Sequence, residues 1–253
     1  MKLTFLGTGT SQGVPVIACR CAVCTSADAH DCRLRTSALL QTDSGANILF
    51  DIGPDFRQQM LNHRVDHLDA ILVTHAHRDH VGGLDDIRSF NYVQHRKMDI
   101  YLNNEARVAI ERDYHYIFTT HQYPGLPEAE LHTVSGTFTA AGATVVPINA
   151  MHKDLPVLGY RIGSMAYITD ANFIPQKEMD KLYGLDVLVL NALRQEHHFS
   201  HFSLPESLDV IRQLAPRRAY LTHISHEMGL HANVNSTLPD NIQLAYDNLV
   251  ITI

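Results

Sequence analysis

The 253-residue chain has no apolar run near the roughly eighteen residues that span a bilayer. Its opening, Met1 to Gly7, is too short for a secretory hydrophobic region. No membrane partner is expected, and the expected location is cytoplasmic. Positive charge is also scarce: 20 Lys and Arg stand against 27 Asp and Glu, for a net charge of −7, and no basic run exceeds the length of Arg217-Arg218. That distribution disfavours a polynucleotide partner, which would need a broad basic footprint. A small anionic substrate is still compatible, because bound cations dominate a local field. The four cysteines, Cys19, Cys21, Cys24 and Cys32, lie within fourteen residues of one another. They exclude a disulfide framework spread across the fold and point to metal binding in a reducing compartment. Repeats and low-complexity segments are absent.

What the chain has is 45% hydrophobic residues, enough for a large core. One domain over residues 1–253 is expected. Its organising stretch is Thr74-His75-Ala76-His77-Arg78-Asp79-His80, after the apolar run Asp69 to Val73. A short β-branched run ending in a polar loop reads as a buried strand that delivers ligands at its C-terminal end. His75, His77, Asp79 and His80 offer imidazole nitrogens and a carboxylate suited to zinc, manganese or iron(II), and more of them than one ion needs. Two adjacent metals follow.

H-x-H-x-D-H after an apolar strand resembles the signature of the metallo-β-lactamase superfamily, and the likeness runs over nearly the whole chain. The resemblance implies an α/β fold, a four-layer αββα sandwich with its metals at the edge of two sheets. It further implies His152 as the last ligand of the first metal, Asp170 as a bridge and His223 as the last ligand of the second. Asp51, ending a strand before Gly53, matches the acidic residue that the superfamily places behind its metal histidines. Capping the helix that starts near Pro54 is the other reading of Asp51.

Lys2 to Leu6 reads as a strand running into Gly7-Thr8-Gly9-Thr10-Ser11-Gln12-Gly13-Val14-Pro15. As a phosphate cradle the loop is weak, because no G-K-[ST] follows and Pro15 opposes a helix there. The same loop resembles the PhnP-type cyclic-phosphate phosphodiesterases, in which it leads to a cysteine cluster. Cys19-Arg20-Cys21-Ala22-Val23-Cys24 supplies three thiolates, and a closed structural zinc needs a fourth ligand. Cys32 and His226 are the candidates, and the resemblance favours His226.

Further strands are expected at Thr36 to Thr42, Ala46 to Phe50, Met98 to Leu102, Thr144 to Asn149, Gly159 to Ile162, Met165 to Thr169, Asp186 to Leu190 and Arg218 to Thr222. Helices are expected over Leu84 to Val93, Glu105 to Asp113 and Pro205 to Leu214, with Gly82-Gly83 allowing close packing. The aromatic segment Tyr114 to Pro127 has three readings: a wall of the substrate pocket, a subunit contact in a homodimer, or core packing under a loop. No site residue is drawn from it.

The resemblance implies metal-assisted hydrolysis of a small phosphodiester, possibly cyclic, with His201 protonating the leaving oxygen and Asp79 serving catalysis from within the ligand set. His197 and His198 compete with His201 for that role. The rival readings are a tRNA 3′-processing nuclease, a thioester, lactone or β-lactam hydrolase, and a metal-binding carrier module without turnover.

Overall fold

Alternation of side chains explains how the two sheets pack. In the computed structural model, which describes residues 1–119 and 125–253, the strands are β1 (Lys2–Gly7), β2 (Ser37–Gln41), β3 (Asn47–Phe50), β4 (Ala70–Leu72), β5 (Met98–Leu102), β6 (Ala129–Thr133), β7 (Phe138–Ala140), β8 (Ala143–His152), β9 (Leu155–Ile162), β10 (Met165–Ile168), β11 (Val187–Asn191), β12 (Arg218–Thr222), β13 (Ile242–Leu244) and β14 (Val250–Thr252). One sheet has the order β14-β1-β2-β3-β4-β5-β6 and the other β13-β12-β11-β10-β9-β8-β7. Ile48, Phe50, Ala70 and Leu72 face Tyr160, Tyr167, Val187 and Val189 between the sheets. The alternate residues Leu49, Ile71 and Ile100 face outward under helices, as do Leu188 and Leu190 on the second sheet. Both faces are apolar because both are covered.

The helices are α1 (Phe56–His63), α2 (Arg78–Val81), α3 (Arg88–Gln94), α4 (Asn104–Asp113), α5 (Gln176–Met179), α6 (Leu204–Leu214) and α7 (His231–Asn235). Phe56, Met60, Phe90 and Ile110 cover the first sheet; Met179, Ile211, Leu214 and Val234 cover the second. The result is the αββα sandwich. Among the described residues no helix is long and apolar enough to cross a membrane.

Strand direction places the functional residues. β3, β4, β5 and β6 are parallel, as are β10, β11, β12 and β13. β8 is antiparallel to β9, which is antiparallel to β10, so β8 runs with β10. The C-terminal ends of β4, β8, β10 and β12 therefore open on one edge, and His75, His152, Asp170 and His223 follow or close those ends.

Two expectations are corrected here. The segment Leu84 to Val93 is not one helix but a 3-10 turn, Leu84–Ile87, followed by α3. Leu84, Ile87 and Phe90 are buried at a spacing of three, which the tighter helix satisfies. β8 runs past Asn149 to His152, because the two-residue turn Lys153-Asp154 pairs His152 with Leu155 of β9. The edge strands β6, β7, β13 and β14 were not anticipated. In the aromatic segment, Tyr114 is buried and donates its hydroxyl to the Val81 carbonyl at 2.9 Å, packing beneath the metal-loop helix; Tyr123 and Pro124 lie outside the described residues.

The glycines after the metal loop do permit close approach. A Cβ on Gly83 would lie 2.4 Å from the Gly53 carbonyl and 2.7 Å from Phe56 Cβ, whereas one on Gly136 would meet nothing within 4 Å. Gly83→Ala should therefore destabilise the fold by about 1–3 kcal/mol, and Gly136→Ala should be near neutral. Thermal denaturation of the two variants checks this, and equal midpoints would contradict the packing argument.

Candidate metal centre and active site

The metal loop is pinned from both sheets before its first histidine. Tyr160, in the buried layer between the sheets, donates to the Val73 carbonyl at 2.6 Å, and the Leu158 amide donates to the Thr74 carbonyl at 2.9 Å. Asp51 is fully buried and accepts from the Thr74 amide at 2.7 Å and the Thr74 hydroxyl at 2.9 Å. Its Oδ2 also faces His80 Nδ1 at 2.7 Å. Asp51 thus stands behind the histidines rather than capping α1, whose N-cap Asp55 makes no side-chain cap bond.

These bonds select tautomers, assigned here from the hydrogen-bond network. His75 Nδ1 lies 3.0 Å from the Thr74 hydroxyl, which itself donates to Asp51. His152 Nδ1 donates to the Ser200 carbonyl at 2.6 Å. With Nδ1 carrying the proton in His75, His80 and His152, each Nε2 is left as a lone-pair donor.

The donors fall into two groups that share one residue. His75, His77, His152 and Asp170 form the first, and Asp79, His80, Asp170 and His223 the second; within each, ligand atoms lie within 4.8 Å of one another. Asp170 Oδ2 is 3.6 Å from His75 Nε2 and 3.2 Å from His80 Nε2, and Oδ1 is 2.9 Å from His223 Nε2. Asp79 Oδ2 is 3.2 Å from His80 Nε2 and 3.6 Å from His223 Nε2, while His75 Nε2 and His77 Nδ1 are 2.9 Å apart. Nitrogen and oxygen ligands of a tetrahedral ion sit about 3.3–3.6 Å from each other. His80 Nε2 and His223 Nε2 are buried without a hydrogen-bond partner. Both observations fit a dinuclear metal site.

Electrostatics agree. Burial would strip charge from His80, but Asp170, Asp79 and Asp51 outweigh it and hold the imidazole well above its ordinary range. Burial is likewise outweighed at His223, which Asp170 and Asp79 raise to about 9. Burial holds His75 well below its ordinary range, with His80 adding to the effect. The cluster therefore draws positive charge toward its Asp79–Asp170 half. His201 stacks on His223 at 5.0 Å and lies 4.5 Å from His152, with its Nδ1 buried and unpartnered. Burial first, then His223, pushes it down to about 3. His198 lies farther back, 5.2 Å from His201, and His197 pairs outward with Glu206 at 2.8 Å.

Beside His75 and His77 a cavity of about 220 Å³ is walled by Ala109, Arg112, Leu155 and Pro156. The larger cavity of about 780 Å³ beside α3 is lined by none of the residues that converge here.

The cysteines form a second centre. Cys19, Cys21 and Cys24 place their sulfurs 3.3, 3.4 and 3.5 Å from His226 Nδ1. A tetrahedral zinc with sulfur and nitrogen ligands keeps them about 3.5 Å apart. Cys32 is exposed and outside the group. The Cys24 amide first, then His226, lowers the Cys21 thiol to about 6. A third group, Asp99, Glu130 and His132, is accounted for by a 2.7 Å pair between Asp99 and His132.

Sequence reading missed three positioning groups. Thr74 links His75 to Asp51, and the Ser200 carbonyl orients His152. Asn191 exchanges two hydrogen bonds, 2.8 and 3.0 Å, with the backbone of Ala171 and so fixes Asp170. Asn191 had a readable signal, a polar residue closing the apolar strand Val187 to Leu190; a backbone carbonyl has none.

A family model described as "Beta-lactamase superfamily domain" matches residues 46–224. The chain is 43% identical, over 98% of its length, to an "Octanoyltransferase" of Porphyromonas gingivalis, and spans about half (51%) of that relative. Among solved structures it resembles a "New Diphosphatase from the PhnP Family", with a TM-score of 0.93 and 39% identity over 100% of this chain and 97% of the other. Human tRNase Z, short form, shares the fold, with a TM-score of 0.72 and 18% identity over 100% and 99% of the two chains.

Asp51→Ala would strand three buried donors behind His75 and His80. Metal affinity should fall about 10–100-fold, measured by competition with a chromophoric chelator. Unchanged affinity would show that Asp51 does not orient the ligands.

Proposed function

The chain belongs to the beta-lactamase superfamily, and from that premise we propose that it is a dinuclear metal-dependent phosphodiesterase acting on a small phosphodiester. One observation carries the reading: the buried Asp170 carboxylate is common to two four-residue donor groups, with the His201 ring against both. The whole-length likeness to a PhnP-family diphosphatase supports phosphoester chemistry.

His75, His77, His152 and Asp170 would hold one ion, and Asp79, His80, Asp170 and His223 the other; this donor set suits zinc or manganese. When bound, two such cations supply a nucleophile from water near neutral pH and neutralise the attacking and leaving oxygens. Asp51, Thr74 and the Ser200 carbonyl keep the imidazoles aimed. His201 is the general acid. Its free imidazole is neutral, and the negative charge of a bound phosphodiester beside the ring restores its affinity for a proton. The tRNA nuclease reading rests on a fold likeness at 18% identity, and the net charge of −7 gives it no support. The octanoyltransferase name belongs to a protein about twice this length, and the His/Asp cluster offers hydrolytic rather than acyl-transfer chemistry.

Cys19, Cys21, Cys24 and His226 would hold a structural zinc that ties the N-terminal loop to the segment after β12. Closed sites of this kind contribute folding energy.

Turnover of bis(p-nitrophenyl) phosphate and of small cyclic phosphates by the zinc- or manganese-loaded protein tests the activity; no turnover of any of them would overturn it. His201→Ala should keep both metals and lose roughly two to four orders of magnitude in kcat on esters with alkoxide leaving groups. The loss should be smaller for nitrophenolate, which departs without a proton, and equal losses would remove His201 from the acid role. Cys24→Ser should lower the zinc content by one ion per chain and lower the thermal midpoint. Unchanged zinc and midpoint would refute the structural site.

A further inference from the structure

Three of the buried ligand histidines are held through the ring, and the fourth is not. Nδ1 of His75, His80 and His152 faces the Thr74 hydroxyl, Asp51 and the Ser200 carbonyl, whereas Nδ1 of His223 is buried without a hydrogen-bond partner. The His223 ring stacks on those of His80 and His201, at 5.7 and 5.0 Å. Stacking leaves a ring free to slide in its own plane, so the backbone has to aim Nε2. That backbone is held one residue on, where the Ile224 amide donates to the Thr8 carbonyl at 2.9 Å and the Ile224 carbonyl accepts from the Thr10 amide at 3.1 Å. His223 is therefore placed only as well as Thr8 is.

Thr8 is fixed from the far end of the chain. Its side chain is fully buried, and its hydroxyl donates to Asp247 Oδ1 at 2.7 Å. The Leu34 amide donates to Asp247 Oδ2 at 2.7 Å, and the Thr8 amide adds a further bond to the same carboxylate. Thr8 and Leu34 are 239 and 213 positions from Asp247 in the chain. The carboxylate thus serves a distant loop, although it is carried by the turn that joins the edge strands β13 and β14 of the two sheets.

Arg33 closes the network from the other side. It is 4% exposed, and its Nη1 donates to the Thr8 hydroxyl at 2.7 Å and to the Ala245 carbonyl, while Nη2 donates to His231 Nδ1 at 3.1 Å. Burial lowers the guanidinium to about 10, and Asp247 is the foremost charge opposing that change. A cation donating to one hydroxyl and a carboxylate accepting from it leave Thr8 a single orientation, through bonds stronger than neutral ones.

We propose that Asp247, paired with Arg33, is a positioning residue for His223: acting through Thr8 and Ile224, it aims that imidazole and so sets the affinity of the ion that His223 serves. The proposal rests on the two-metal reading. His75 and His152 are held by Thr74 and the Ser200 carbonyl, outside this network, so the effect is confined to one half of the centre.

Asp247→Asn keeps the side-chain volume and removes the charge. In the zinc-loaded protein it should speed hydrogen exchange of the Ile224 amide, followed by NMR, about tenfold. It should also weaken one of the two ions at the His/Asp cluster about tenfold and leave the other unmoved, as measured by competition with a chromophoric chelator. Thr8→Val, which fills the same space without a hydroxyl, should give both effects, and Thr8→Ser should restore the wild-type values. This second pair carries the test where Asp247→Asn does not fold. Unmoved exchange at Ile224, two unmoved affinities, equal weakening of both ions, or a serine that restores nothing would each overturn the proposal. A wild-type protein that takes up a single ion at the cluster, with the exchange response intact, would overturn the two-metal reading alone.

Discussion

Burying carboxylates is the constraint on which the rest of this structure depends. Asp51 and Asp170 are 0% and 2% exposed at strand ends, and a buried charge is tolerated only when paired and hydrogen-bonded. Asp51 solves this with Thr74 and His80. Asp170 solves it only in part, since His75, His80 and His223 surround it while three of their ring nitrogens are buried without a hydrogen-bond partner. Two bound cations would complete this polar interior. Asp51, Asp170 and His223 also have left-handed backbones, with φ of 59°, 54° and 56°, each costing on the order of 1–3 kcal/mol. The packed sheets on either side hold that strain where the chemistry needs it.

Much of this was legible before any coordinates. The metal loop was readable because a ligand at the C-terminal end of a buried strand leaves two signals, an apolar run and a change to polar chemistry at its last residue; His152, Asp170 and His223 also follow expected strands, but their roles came from the resemblance. The resemblance then supplied their order. Between Cys32 and His226 the residues alone left both open and only the resemblance favoured His226; Cys32 is nearer in sequence, yet the fold brings residue 226 back across about two hundred positions to the three thiols. The short edge strands β6, β7, β13 and β14 were not readable, because three to five residues carry little periodicity and pair only where a neighbouring strand already exists. The helix misread over residues 84–93 has the same origin. Burial at every third position is weakly distinguishable from helical periodicity until a core is present to select it.

The glycine-rich loop after β1 illustrates how a motif can be a packing device. A Cβ on Gly7 would lie 2.1 Å from the Arg35 carbonyl, so the residue is small because backbone passes against it. The loop then pairs with the segment after β12: the Ile224 amide donates to the Thr8 carbonyl at 2.9 Å, and the Thr10 amide donates to the Ile224 carbonyl at 3.1 Å. Its glycines serve strand-like contact rather than phosphate binding.

That pairing couples the two centres. His223 belongs to the His/Asp cluster and His226 to the cysteine cluster, with only Ile224 and Ser225 between them. Ile224 is clamped on both its amide and its carbonyl by the loop that leads to Cys19. A closed tetrahedral site at the cysteines would fix His226 and the N-terminal loop together, and His223 would inherit its position from both. Its strained backbone has no helix or strand of its own to hold it, since β12 ends at Thr222. The order of the cysteine centre is therefore a condition for the geometry of the His/Asp centre, although no cysteine faces the reacting side.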